Sequence, residues 1–115
     1  MATVTSAIRH ADELRPNVIS DEHKAAWLHR LDMVVAEHMQ EEAPKDTWPV
    51  DRELLMPAPH DNIYELYLAL MIDFAQQDFK LYSVDQTVYD AALSDAFAWW
   101  RRNNTPKVNA GGAKL

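Results

Sequence analysis

The sequence predicts a small all-α domain, a four-helix bundle with a long proline-rich connection between its second and third helices. Three observations carry this. Both glycines sit at Gly111 and Gly112, so the first 110 residues have none; strand-rich folds normally use glycine in turns and bulges. Apolar residues recur at three- and four-residue spacing over separate stretches of the chain. Every proline falls between those stretches or after them, where it does not interrupt a helix.

The first helix is expected from about Thr5 to Leu14. It stops before Pro16, because the residue preceding proline is pushed out of helical geometry, and Asn17 continues the break. Ser20 is a good N-cap for the second helix, with Asp21 and Glu22 in the first turn where the helix dipole favours negative charge. That helix runs to about Gln40. Trp27, Leu28, Leu31, Val34, Val35 and Met39 form its apolar stripe, while Glu22, Lys24, His29, Arg30 and Glu37 are expected largely on a solvated face.

Residues 41–60 contain four of the six prolines, Pro44, Pro49, Pro57 and Pro59. No regular helix persists there. A connection of this length is unusual in a compact domain and often binds something. Trp48 lies in its middle and Leu54-Leu55-Met56 near its end. An ordered wrap packing these side chains on the helices is the favoured reading; a partner-binding loop is the other.

Asp61 or Asn62 is expected to cap the third helix, with Glu65 three residues after Asn62 in capping-box spacing. This helix is read to about Tyr82. It is apolar around most of its circumference, with a narrow polar stripe of Asn62, Glu65, Asp73, Gln76, Gln77 and Lys80. Such a helix is central and touches several neighbours. Ser83 is the expected cap of a fourth helix over about Val84 to Asn103, unless the third and fourth form one kinked rod. Val88, Tyr89, Ala92, Leu93, Ala96, Phe97, Trp99 and Trp100 supply its apolar side, and Thr105-Pro106 ends it. Residues 1–106 thus read as one helical domain and 107–115 as a flexible C-terminal tail.

Composition narrows the function. The chain has no cysteine, which excludes disulfides, thiolate metal sites and thiol nucleophiles. No run approaches the ~20 apolar residues that a membrane span needs, and the N-terminus lacks the pattern of a signal peptide. All 18 acidic residues lie before position 96, against seven basic ones, whereas residues 96–115 hold Arg101, Arg102, Lys107 and Lys114 and no acid. An acidic body disfavours duplex binding. A basic end on it suits docking against acidic surfaces, copies of the chain included, or is simply a solvated tail.

Catalytic and ligand-binding patterns are sparse. Without glycine before position 111 there is no phosphate-cradling loop. No two of His10, His23, His29, His38 and His60 lie three or four residues apart, so no helix turn presents a histidine pair to a metal. His29 with Asp32, and His38 with Glu41 or Glu42, read as surface polar pairs. Asp73, between Ile72 and Phe74, would need a raised pKa and a second titratable group to act as a catalytic acid; a place on the polar stripe, or a pairing with Arg101 or Arg102, is favoured. A helix-turn-helix reader is disfavoured because no helix before the fourth has a basic face. No enzyme activity, cofactor or metal is expected.

Three stretches resemble a family of small head–tail connector proteins, or adaptors, of siphoviruses and prophages. The first is Pro16-Asn17-Val18-Ile19-Ser20 with Lys24, Trp27-Leu28 and Leu31-Asp32. The second runs from Glu53 through Leu54-Leu55-Met56-Pro57-Ala58-Pro59-His60-Asp61-Asn62-Ile63-Tyr64 to Tyr67-Leu68 and Met71-Ile72-Asp73. The third, looser, is Tyr82, an aromatic near Phe97, Trp99-Trp100-Arg101 and Pro106. The family usually has Tyr where this chain has His60, and Asn-rich sequence where it has Ser83-Val84-Asp85-Gln86.

The resemblance implies a virion structural protein in the phage neck, synthesised in the host cytoplasm. It implies a ring, typically of twelve copies, beneath the portal protein, meeting a downstream neck or tail-completion protein. Genome DNA would pass only through the lumen, with no sequence-specific binding. The segment Lys107–Leu115 is the candidate arm toward the portal. Trp48, Trp99, Trp100, Arg101, Arg102, Lys107 and Lys114 are the candidate interface residues. The alternatives are a small regulatory protein-binding module and another neck or tail-completion protein.

Overall fold

The structure is a computed structural model and describes residues 2–104. Lys107 and Lys114, and with them the tail expected over 107–115, lie outside the described residues. The described chain is an all-α four-helix bundle: α1 (Val4–Leu14), α2 (Asp21–Met39), α3 (Ile63–Ala75) and α4 (Phe79–Asn103). Among the described residues, the nearest approach to a strand is one isolated antiparallel bridge between Thr3 and Glu53.

The first two helices begin where their caps dictate. Thr3 and Ser6 form a reciprocal capping box at the start of α1. The Ser20 hydroxyl accepts the His23 N–H at the start of α2. Each cap satisfies a backbone donor that the helix itself cannot.

Two later expectations are corrected. The first concerns α3, which ends at Ala75 and not near Tyr82. Gln77 turns the chain at φ 59°, and the Asp78 carboxylate then accepts the Leu81 N–H to cap α4. Ser83 therefore lies inside α4 and caps nothing. The second is the capping box at Asn62, whose side chain makes no cap hydrogen bond. Tight turns replace it, in which the Ile63 and Tyr64 N–H groups reach back to the carbonyls of His60 and Asp61.

With no glycine before position 111, left-handed positions fall to Gln40 (φ 57°) and Gln77. A side chain in that region costs about 1–2 kcal/mol, while glycine adds about 0.5–1 kcal/mol of unfolded-state freedom. Gln77→Gly is accordingly expected to stabilise the fold by about 0.5–1 kcal/mol. A higher urea midpoint at unchanged slope is the measurement that checks it.

The helices run alternately up and down. The ends of α1 and α3 and the starts of α2 and α4 meet at one pole, where Gln76 Nε2 donates to the Pro16 carbonyl and Arg15 reaches Asp73 and Asp85. The proline-rich connection leaves from the other pole and runs back over α1 and α2, where Trp48 lies among Ile8, Asp12 and Asp21. As expected, α3 is central and touches all three other helices, whereas α4 packs mainly on α3. Aromatic contacts mark that seam: Phe74 on Tyr82, Tyr67 on Tyr89, and His60 on Trp99.

The core is built from Val4, Ile8 and Ala11 of α1, Leu28, Leu31 and Val35 of α2, and Ile63, Leu68 and Ile72 of α3. The connection closes it as an ordered wrap. Leu54 and Met56 are fully buried and Trp48 packs against the same cluster. The wrap also pairs with the chain's start, through Val4 N–H to Arg52 O and Leu54 N–H to Ala2 O. Val34, expected in the buried stripe of α2, is exposed. It lies about 100° around the helix from Val35, which takes the core position.

Candidate interaction surfaces and the charged nodes behind them

Among the described residues, three charged ones have almost no exposed surface: Lys24, Asp32 and Asp73. Lys24 and Asp32 each anchor a node that ties an irregular segment to the helices, and Asp73 anchors one that ties three helices together. A buried charge is tolerated only when paired and hydrogen-bonded.

Asp32, read as half of a surface pair with His29, is fully buried. Its Oδ1 accepts the Tyr64 hydroxyl at 2.6 Å, and its Oδ2 accepts Arg52 Nη1 at 2.8 Å. The Leu55 N–H also approaches both oxygens, at 3.3 Å. Tyr64 in turn accepts the Met56 N–H at 2.7 Å. Burial, with the neighbouring Asp32 charge and hydrogen bond, pushes the Tyr64 hydroxyl far above its ordinary range, so it stays a proton donor. One aspartate thus holds the connection at Arg52 and Leu55 directly and at Met56 through Tyr64.

Lys24 was expected on the solvated face and is 2% exposed. Its Nζ donates to Asp12 Oδ1 at 2.7 Å and to Asn17 Oδ1 at 3.1 Å. Asn17 donates to Asp12 and to the Arg15 carbonyl, and accepts the Ile19 N–H. This node sets the path of the α1–α2 connection.

The third node joins three elements. Arg15, at the end of α1, donates from Nε to Asp73 Oδ1 at 3.1 Å and from Nη2 to both oxygens of Asp85 at 2.8 and 3.0 Å. The partner of Asp73 is therefore Arg15, and not Arg101 or Arg102, because the pole holding Asp73 is opposite the end of α4. Burial raises the Asp73 pKa to about 7, reinforced by the hydrogen bond and charge of Asp85 and opposed by Arg15. Asp73 does have the raised pKa and second carboxyl that acid catalysis would ask for. It has no exposed surface, however, and lines none of the grooves described below, so the pair reads as a latch between α1, α3 and α4.

The sign of its pH dependence follows. Below about pH 4 Asp73 is protonated both folded and unfolded. Between about 4 and 7 the folded chain holds a proton that the unfolded chain has lost, so this group's contribution to stability falls as pH rises. Above 7 the full cost of ionising a buried carboxyl is present. Asp73→Asn is expected to flatten that segment of the melting temperature against pH profile, measured by calorimetry.

The surface outside these nodes carries unusual apolar weight. On α4, Leu81, Val84 and Val88 are 37%, 58% and 48% exposed. Their spacing puts them in one row, about 100° around the helix from the row of Tyr82, Asp85, Tyr89 and Ala96 that faces the bundle. At the same pole Phe74 and Phe79 are exposed and touch edge to face. On the outward face of α2, Met33 and Val34 are 48% and 52% exposed. They line an open groove of about 480 Å³ with Arg30, Glu37, Glu41 and Ala43. A second groove, about 350 Å³, lies between Ile8, Arg9, Asp12, Asp21 and Trp48.

Of the sequence-predicted interface residues, Trp48 edges that second groove, half-buried. Trp99 and Trp100 are half-buried on α4 with ring centroids 6.4 Å apart, and Arg101 and Arg102 are exposed in its last turn. Trp48 stands apart from the other four. Trp99, Trp100 and Arg101 are also among the residues that carry the family resemblance; of the others, Asn17, Lys24, Asp32, Tyr64 and Asp73 are node residues, and Trp27, Leu28, Leu54, Met56, Ile63, Leu68 and Ile72 are core. The α4 row was missed because Leu81 was read into the third helix and Val88 was assigned to the same side as Tyr89, from which it stands about 100° around the helix.

Among the described residues no helix is long and apolar enough to cross a membrane, and no group of three or more His, Asp or Glu is placed to hold a metal ion. Compared with known protein families, curated proteins and solved structures, the chain matches none.

Proposed function

We propose that this chain is a virion structural protein, a head–tail adaptor that assembles as a ring beneath the portal in a phage neck. The observation that carries the reading is the exposed apolar surface on two separate helices, α2 and α4. Contiguous apolar patches of this kind mark protein–protein contacts more often than they stay wet. A ring subunit uses two different patches, because each copy meets one neighbour on either side.

Two further features support it. Five of the node residues, Asn17, Lys24, Asp32, Tyr64 and Asp73, fall in the stretches that resemble the adaptor family. The acidic body suits a lumen along which DNA passes without adhering. Trp99, Trp100, Arg101 and Arg102 lie at the end of α4, the pole from which a basic arm through Lys107 and Lys114 would reach the portal.

The test is electron microscopy of the full chain mixed with the portal oligomer from the same genome. Added ring density of the portal's own symmetry, at stoichiometric occupancy, is the expected result. A portal that sediments unchanged in the presence of excess chain overturns the proposal.

A further inference from the structure

We propose that the small cavity between α2 and the turn at residues 46–50 is a binding site for one ordered water molecule, which bridges His29 Nδ1 and Arg52 Nη2. The cavity measures about 10 Å³. A water needs roughly 10–15 Å³, so the space suits a single water and nothing larger. Among the described residues, four buried side-chain polar atoms make no hydrogen bond to the protein, and His29 Nδ1 and Arg52 Nη2 are two of them. Both residues line this one cavity, and Asp46 and Thr47 supply the rest of its polar wall. Buried polar groups of this kind are met by ordered water when no protein partner reaches them.

Spacing explains why the two nitrogens converge. His29 and Asp32 are three residues apart on α2 and share a face. Arg52 Nη1 is taken up by Asp32 Oδ2 at 2.8 Å and the Glu53 carbonyl at 3.0 Å. That leaves Nη2, which can only donate, for the cavity that Arg52 shares with His29. An imidazole nitrogen can accept. The water accepts from Nη2, donates to Nδ1 and has one hydrogen left. Asp46 provides an acceptor for it: Oδ1 takes the Trp48 N–H, and a carboxylate has lone pairs to spare. Three partners are typical of a buried water. The same carboxylate disfavours an anion in this place. The water ties the turn to α2 where Asp32 does not reach, since Asp32 holds Arg52, Leu55 and, through Tyr64, Met56. Trp48 lines both this cavity and the groove of about 350 Å³, so a solvent molecule helps to set the wall of that groove.

The inference does not depend on the adaptor reading, and its test uses the full-length chain alone. A high-resolution crystal structure is expected to show one water peak about 2.7–3.2 Å from both nitrogens. Two variants then separate the bridge from simple packing. His29→Leu removes the acceptor, whereas His29→Asn keeps a polar atom near the Nδ1 position. Hydrogen exchange of the Trp48 and Val50 amides, both bonded within the turn, reads how firmly the turn is held. His29→Leu is expected to speed that exchange about tenfold and to lose the water peak. His29→Asn should keep the peak and stay within about threefold of wild type. A wild-type crystal with no peak between the two nitrogens, or with His29 and Arg52 in direct contact, overturns the inference. So does a His29→Leu turn that exchanges as the wild type does. The wild-type crystal decides the matter even if the leucine variant fails to fold.

Discussion

Replacing Asp32 with Ala is expected to cost about 3–5 kcal/mol, the usual penalty for breaking a buried pair by removing one partner. The Tyr64 hydroxyl and the Leu55 N–H lose their acceptor, and the Arg52 guanidinium loses its counter-charge and, of its protein partners, keeps only the Glu53 carbonyl. A small domain has only about 5–15 kcal/mol in total, so a large part of its margin goes. The connection should be released first, because Arg52, Leu55 and Met56 are all held through this one carboxylate. Urea denaturation followed by tryptophan fluorescence measures the loss. Tyr64→Phe provides the comparison. It deletes one hydroxyl, leaves the Asp32–Arg52 pair intact, and is expected to cost about 1–3 kcal/mol. Equal losses in the two variants would mean that the carboxylate is not the organising group.

Arg15→Ala is the second large effect, and it depends on pH. Arg15 is the cation that faces both Asp73 and Asp85. Without it, the factor that lowers the Asp73 pKa is gone and the two that raise it remain. The buried carboxyl must then keep its proton or carry an unpaired charge. The variant is expected to lose about 3–5 kcal/mol where Asp73 is ionised, and clearly less in mild acid where the proton is already present. Hydrogen exchange should show the loss concentrated in the first three turns of α4, whose only charged tie to α1 is this contact. A pH-independent loss would assign Arg15 a packing role instead.

Helix number, the Ser20 cap and the ordered wrap of the connection were legible because each rests on local chemistry, whereas the Thr3 cap of α1 was not read. Pro16, Ser20 and the four prolines of residues 41–60 act on their own neighbourhoods. The break between α3 and α4 was not legible: Phe74 to Lys80 contains no proline or glycine, and the apolar period carries straight through. Asp78 was the available signal, an N-cap residue ahead of a second apolar run. Lys24 shows a different failure. Its spacing from Leu28, Leu31 and Val35 puts it on the buried side of α2, but residue type argued for solvent. A lysine can occupy a core position when Asp12 and Asn17 come from another segment, and that juxtaposition exists only in the folded chain. The exposed rows on α2 and α4 were hidden because an apolar residue looks the same in sequence whether it is covered by its own chain or by a neighbour.

The ring contacts along the α3–α4 seam involve His60, in the turn before α3, and Tyr67 and Phe74 on it, spaced seven residues apart. Seven residues are about two turns, so the seam is close to periodic and by itself tolerates sliding. A polar residue at one buried position is what fixes such alignments elsewhere. Here Asp85, gripped by Arg15, serves as the detent. Were α4 to slip by two turns, its outward valines would shift about 10 Å along the molecule. In the assembly proposed above, every subunit would then offer its neighbour a displaced edge, and that geometry would hang on one guanidinium at the opposite pole from Trp99 and Trp100.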